Sequence, residues 1–149
     1  MATNSFSGNP VAQIGQEGVD GARLRWVGPL TIAVAVIGNL IVRTLGVNLF
    51  AIPDTFLALN VPPTILFTLV GVLGAIGVFA WLGRRSPRPI SRFTRVAAVV
   101  LVVSLVPDLG LLAAPMPGSS LAAVGVLMVE HIVAAVASVG LLTTLARSR

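Results

Sequence analysis

SLAAVGVLMVEHIVAAVASVGLLTTLA, residues 120–146, is the stretch that decides the fold. At about 1.5 Å per residue, a helix of this length crosses the roughly 30 Å of hydrocarbon in a bilayer. Glu130 and His131 are its only acidic, basic or imidazole side chains. The stretch therefore predicts a membrane span, and its two ionisable residues indicate that polar groups lie inside the protein.

Three further apolar stretches precede this one. With it, they predict helices over residues 26–46, 62–82, 93–113 and 120–146. Four spans of this kind predict an all-α four-helix transmembrane bundle that occupies residues 23–149. Residues 1–22 are polar and without periodicity, which predicts a disordered tail in front of the bundle.

The composition also indicates lipid as the solvent. Of the 149 residues, 56% are hydrophobic and only 10% are charged, which is too little charge for the surface of a soluble domain. The absence of cysteine excludes disulfides, thiolate catalysis and cysteine metal sites. The net charge of +5 does not indicate nucleic acid, because no soluble basic face exists to bind it. Membrane lipids are the expected partner.

The arginines predict how the bundle is oriented. Apart from Arg43, they lie at both ends of the apolar region and in the connection 83–95, whereas the connections 47–61 and 114–119 contain none. Because basic residues stay on the cytoplasmic side, we expect a multi-pass protein of the bacterial inner (plasma) membrane with both termini cytoplasmic. The connection 47–61 is apolar, and we expect either an ordinary interfacial loop or a cap over the bundle.

Six polar residues inside the predicted spans form the candidate site. They are Asn39, Arg43, Ser104, Asp108, Glu130 and His131. A lone charge at mid-membrane costs about 2.5–3.5 kcal/mol on insertion scales, so these side chains are expected to face one another rather than lipid. We expect Arg43 to pair with Glu130, with Asp108, or with both.

Three interpretations of this cluster stay open. It is a buried ion-pair network that holds the helices in register, a pathway for a proton or small molecule, or a catalytic or cofactor site. One histidine and two carboxylates hold a metal ion only with further ligands. No phosphate loop, HExxH or CxxC motif is present, so we expect no catalytic residue, cofactor or bound metal.

Two other patterns concern packing. Pro107 removes a helix hydrogen bond and is expected to kink or end the third helix. On the second helix, small residues form a stripe that predicts a tight contact, either inside the bundle or between copies: Thr64, Thr68, Gly71, Gly74 and Ala75.

Three segments carry a resemblance to a known family: NLIVR at 39–43, SLVPD at 104–108 and MVEHIVAA at 128–135. With these segments, residues 24–146 resemble an uncharacterised family of small bacterial four-helix integral membrane proteins, a domain of unknown function. The resemblance implies a fold and no activity.

The resulting prediction is a non-enzymatic structural or accessory membrane subunit with a buried polar cluster. It is expected to associate with itself or with a larger membrane complex. The alternative is a small proton-coupled transporter or channel that works as a dimer, because four helices leave little room for a transport cycle in one chain.

Overall fold

The chain folds into a bundle of four long helices. The structure, a computed structural model, describes residues 18–148. Its elements are α1 (Gly21–Phe50), a short 3₁₀ helix (Leu57–Leu59), α2 (Val61–Arg85), α3 (Pro89–Ala113) and α4 (Leu121–Leu145). All four α-helices are long and apolar enough to cross a membrane, which confirms the predicted all-α fold of four candidate spans.

The helices extend past most of the predicted boundaries, and α1 does so most. It begins at Gly21 rather than residue 26, because the Asp20 carboxylate accepts hydrogen bonds from the backbone N–H groups of Ala22 and Arg23. It ends at Phe50, where Ala51 adopts a left-handed conformation with φ of 48°. The apolar block sets where a helix can cross lipid, but capping groups set where it ends.

The two ends of the described chain meet at one end of the bundle. Val19 and Arg147 form an isolated antiparallel bridge. The Asp20 N–H donates to the Ala146 carbonyl at 2.9 Å, and the Ser148 N–H donates to the Gly18 carbonyl at 2.9 Å. Residues 18–22 of the predicted tail are therefore structured, which corrects the boundary at residue 22, and residues 1–17 lie outside the described residues. We call this end, which also holds the α2–α3 connection, the arginine end.

Helix α1 has its most extensive contact with α4, and glycines bring the two helices close. A Cβ atom added at Gly38 would lie 2.9 Å from Cγ1 of Val133, and one added at Gly46 would lie 2.5 Å from Cγ2 of Val126. Glycine thus lets each valine of α4 pack directly against the α1 backbone. Helix α2 packs on α1, and α3 completes the bundle against α4 and α2.

Large apolar side chains cover the outside of the bundle. On α3, Val99, Val102 and Val106 are each more than 60% exposed, as expected for a lipid-facing surface. Trp26 and Trp81 are also exposed and lie toward the arginine end. Their position is typical of indole rings at a membrane–water interface.

Two apolar cores lie at opposite ends of the bundle. At the arginine end, Phe79 of α2 and Phe93 of α3 make an edge-to-face contact with ring centroids 5.0 Å apart. At the other end, the connection between α1 and α2 folds back over the helices. Its residues 51–60, which we call the capping loop, bury Ile52, Phe56 and Leu59 against α4. The sequence left open whether this connection is an ordinary interfacial loop or a cap over the bundle, and in the structure it is a cap.

The structure bears on two packing predictions. Helix α3 continues through Pro107 to Ala113, so the proline does not end it, and the expected kink stays a prediction. The stripe on α2 is not one contact: Thr64 and Thr68 are buried, whereas Gly71 and Gly74 are exposed with open space around them. The five residues therefore do not form one contact surface, because the two glycines lie outside the face of α2 that packs against α1.

Candidate functional site

Asn39 of α1 makes a polar contact with α2. Its side-chain Nδ2 donates a 2.9 Å hydrogen bond to the hydroxyl of Thr68, and that hydroxyl donates to the Thr64 carbonyl at 2.6 Å. All three residues are buried. The Asn39 amide therefore joins α1 to α2 at Thr68, and the Thr68 hydroxyl is held in turn by the carbonyl one turn earlier on its own helix.

Arg43, one turn after Asn39, reaches the capping loop. Its Nε donates a hydrogen bond to the backbone carbonyl of Leu59. Within the described residues it forms no ion pair with Glu130 or Asp108, although its charge acts on Glu130 at longer range. The direct pairs expected from the sequence are therefore absent from the described chain, because the loop supplies the nearer acceptor.

Asp108 of α3 meets His131 of α4. The Oδ2 atom of Asp108 lies 3.1 Å from Nδ1 of His131. Nδ1 is also 2.9 Å from the Leu127 carbonyl, one turn earlier on its own helix. The ring nitrogen has regular hydrogen-bond geometry only with that carbonyl, so its contact with Asp108 is electrostatic. Asp108 is buried, and His131 is half-buried.

Glu130 points into the bundle, as the sequence predicts. Its side chain is buried with 6% of its surface exposed. Its carboxylate interacts electrostatically with Arg43 and Asp108. The Thr64 hydroxyl lies beside the carboxylate, but the two do not have the geometry of a regular hydrogen bond. Its Oε1 atom has no hydrogen-bond partner in the part of the chain that the structure describes. Glu130 is therefore central to the cluster, but no other described side chain compensates for its burial directly.

Ser104 does not take part in the cluster. Its hydroxyl donates a 2.7 Å hydrogen bond to the Leu101 carbonyl of the same helix. The structure thus brings five of the six predicted residues into one region and leaves Ser104 to its own helix. Thr64 and Thr68 take part instead, although their pattern on α2 indicated packing alone. The signal that could have identified them is that two threonines lie one turn apart on the same face of α2. When such a face is buried, each hydroxyl needs a hydrogen-bond partner as well as space to pack.

The site lies in the half of the bundle beneath the capping loop. Counted along each helix from its own end on that side, Thr64 lies about 5 Å in, Asp108 about 8 Å, Glu130 about 14 Å and Asn39 about 17 Å. The helix ends are not level, because Asn39 bonds Thr68, which lies about 11 Å from the end of α2. The Phe79–Phe93 core separates the site from the arginine end. Residues 18–148 contain no group of three or more His, Cys, Asp or Glu residues that could hold a metal ion.

Four apolar helices that enclose a polar cluster define a multi-pass membrane protein. Comparison with known families is more specific. The chain belongs to the Family of unknown function (DUF6069), whose profile matches residues 21–148. This confirms the resemblance to a family of unknown function. The chain matches no curated protein and no solved structure.

Proposed function

We propose that this protein is a non-enzymatic structural or accessory subunit of the bacterial inner membrane. The observation that carries the proposal is that the polar contacts join different elements of the fold. Asn39 bonds α2, Arg43 bonds the capping loop, and Asp108 of α3 meets His131 of α4. Contacts of this kind hold helices in one register, which is what a rigid subunit requires.

The free energies that such contacts contribute support a structural role. Hydrogen bonds between transmembrane helices contribute about 0.6 kcal/mol on average and at most about 1.7 kcal/mol. The two formed by Asn39 and Arg43 join α1 to α2 and to the capping loop, and they stabilise one arrangement over its neighbours. In addition, the apolar cores on both sides of the cluster bury aromatic side chains at the arginine end and under the loop. This arrangement favours a closed bundle over an open pathway.

The outer face of α2 supports association with another helix. Gly71, Gly74 and Gly77 are exposed, and a Cβ atom added to any of them would meet no atom of the described chain within 4 Å. Exposed glycines permit close approach of a partner helix. We propose that this face contacts a larger membrane complex or a second copy of the chain, with both termini in the cytoplasm.

The alternative function is a small proton-coupled transporter or channel that works as a dimer. One observation favours it: buried oxygens of four residues have no hydrogen-bond partner among the described residues, namely those of Asn39, Thr64, Asp108 and Glu130. Ionisable groups at this depth often mark the path of an ion or a proton. The two functions differ in whether water reaches the cluster.

Water access can be measured because the chain has no cysteine. Single cysteines placed at Asn39, Asp108 and Leu127 are exposed to a membrane-impermeant maleimide in intact vesicles. A cysteine at Asp54, which is exposed in the capping loop, is the accessible control when that loop faces the reagent. Melting temperature identifies any variant that does not fold.

A subunit with a sealed cluster protects all three cysteines while the Asp54 control reacts. Copurification in mild detergent then identifies the larger complex, and Gly74→Leu weakens that association if α2 is the contact. Rapid labelling of all three folded variants contradicts the structural proposal and supports the transporter.

A further inference from the structure

Each of the four helices contributes one buried oxygen that has no hydrogen-bond partner within residues 18–148. These atoms are Oδ1 of Asn39 in α1, Oγ1 of Thr64 in α2, Oδ2 of Asp108 in α3 and Oε1 of Glu130 in α4. All four residues are at least nine-tenths buried. Leaving a buried polar atom unpaired costs about 1–3 kcal/mol, so four such atoms in one region indicate a missing partner.

All four atoms are oxygens that can accept a hydrogen bond or bind a cation, and this limits what the missing partner can be. An amide oxygen and ionised carboxylates only accept hydrogen bonds, and a threonine hydroxyl also has lone pairs to offer. The site therefore contains ligands for a positive charge. Arginine side chains cannot supply all of it. Among the described residues Arg43 is the only basic one whose charge acts on Glu130, and it is bonded to the Leu59 carbonyl.

Formal charge supports the same conclusion. With both carboxylates ionised and His131 neutral, Asp108, Glu130 and Arg43 sum to one net negative charge. A charge of this kind inside the bilayer is costly unless it is neutralised. One monovalent cation balances it, whereas a divalent cation leaves a net positive charge.

We propose that the oxygens of Asn39, Thr64, Asp108 and Glu130 bind one small monovalent cation, Na⁺, between the four helices. Hard cations prefer carboxylate, amide and hydroxyl oxygen, whereas the softer transition metals prefer imidazole and thiolate. The sequence indicated that two carboxylates would need further ligands, and α1 and α2 provide them. The inference goes beyond the structural role proposed above, because it assigns a ligand to the cluster.

The test measures thermal unfolding of the full chain in detergent. Tryptophan fluorescence reports the melting temperature while NaCl replaces choline chloride at constant ionic strength and pH. A ligand that binds only the folded state raises the melting temperature with its concentration. At a hundredfold excess over the Kd, we expect a rise of roughly 5–10 °C.

Variants show whether the effect belongs to this site. Thr64→Val removes one proposed ligand, and Glu130→Gln removes the negative charge of another with little change of shape. We expect both variants to lose the Na⁺-dependent rise. Ser104→Ala is the matched control, because its hydroxyl bonds the Leu101 carbonyl and not the cluster. It should keep the rise. If Glu130→Gln does not fold, Thr64→Val still tests the proposal.

Three results would overturn the inference. Equal melting temperatures in NaCl and choline chloride mean that no Na⁺ is bound. A rise that persists in both ligand variants is a general salt effect. A melting temperature that follows pH and ignores Na⁺ means that protonation alone neutralises the cluster. None of these results changes the labelling pattern that tests the structural role, so the two proposals fail separately.

Discussion

Asn39 and Thr68 form a direct side-chain hydrogen bond between two transmembrane helices. The bond from Nδ2 to Oγ1 is 2.9 Å long, and the two residues are 3% and 6% exposed. Neither side chain has lipid or bulk water as an alternative partner. A slip of α1 against α2 by one residue would therefore break the bond and leave both groups unpaired.

We expect Asn39→Leu and Thr68→Val each to lower the free energy of unfolding by about 1 kcal/mol, because each leaves a polar group unpaired. The double variant should lose less than the sum, with a coupling of about 0.6 kcal/mol and at most about 1.7 kcal/mol. Denaturant unfolding in mixed micelles gives the free energy of unfolding of the parent protein, the two single variants and the double variant.

The matched control for this cycle is Thr44→Val. The Thr44 hydroxyl bonds the Leu40 carbonyl of its own helix at 2.7 Å and is exposed. Its loss should cost less than about 0.5 kcal/mol, as surface substitutions do. Strict additivity of the Asn39 and Thr68 variants would show that the bond contributes nothing.

The contact of α1 with α4 should be sensitive to volume at Gly46. A Cβ atom there would lie 2.5 Å and 2.8 Å from the two methyl groups of Val126. We expect Gly46→Ala to destabilise the bundle by about 1–3 kcal/mol and Val126→Ala to restore most of that loss when the two are combined. Thermal unfolding of the three variants measures the effect.

Gly74→Ala is the control for Gly46→Ala, because a Cβ atom at Gly74 meets nothing within 4 Å. It should leave the stability unchanged or slightly higher. A destabilisation by Gly46→Ala that Val126→Ala does not relieve would place the strain elsewhere in the helix pair.

Gly118 should be required for the capping loop. Its φ is +78°, and an added Cβ atom would lie 2.8 Å from the backbone nitrogen of Phe56. We expect Gly118→Ala to cost about 1–2 kcal/mol from the backbone alone and to loosen the loop. Hydrogen exchange of residues 51–60 reports this loosening. Gly110→Ala, which has open space around it, should leave that exchange unchanged.

Orientation is predicted from the arginines and can be tested directly. A cysteine at Asp54 should react with an impermeant reagent in intact cells. A cysteine at Arg88, in the connection at the arginine end, should react only after the membrane is permeabilised. The reverse pattern would place both termini on the outer side.

The sequence predicted the four spans because apolar length alone limits what can cross lipid. It also predicted that Glu130 faces inward, since alanines share its side of α4. The extent of α1 could not be predicted with the same accuracy, because it depends on the Asp20 side chain and on contacts with Ala146 that are distant in sequence.

The partners within the cluster were less predictable than its members. Depth and helix face placed Arg43 within reach of both carboxylates, but the capping loop presents the Leu59 carbonyl closer. A backbone acceptor has no sequence signature, so no pattern of residue types could indicate it. Ser104 shows the reverse case: it was expected to face the other polar residues, and its own helix supplied the acceptor.

The pairing of Val19 with Arg147 gives the described chain an almost circular path. With Ser148 N and Gly18 O only 2.9 Å apart, a short peptide could join residue 148 to residue 18 without moving a helix. New chain ends could then be opened between α2 and α3, where Ser86–Arg88 connect them at the same end of the bundle. The order of the helices along the polypeptide would change, while their arrangement around one another would not.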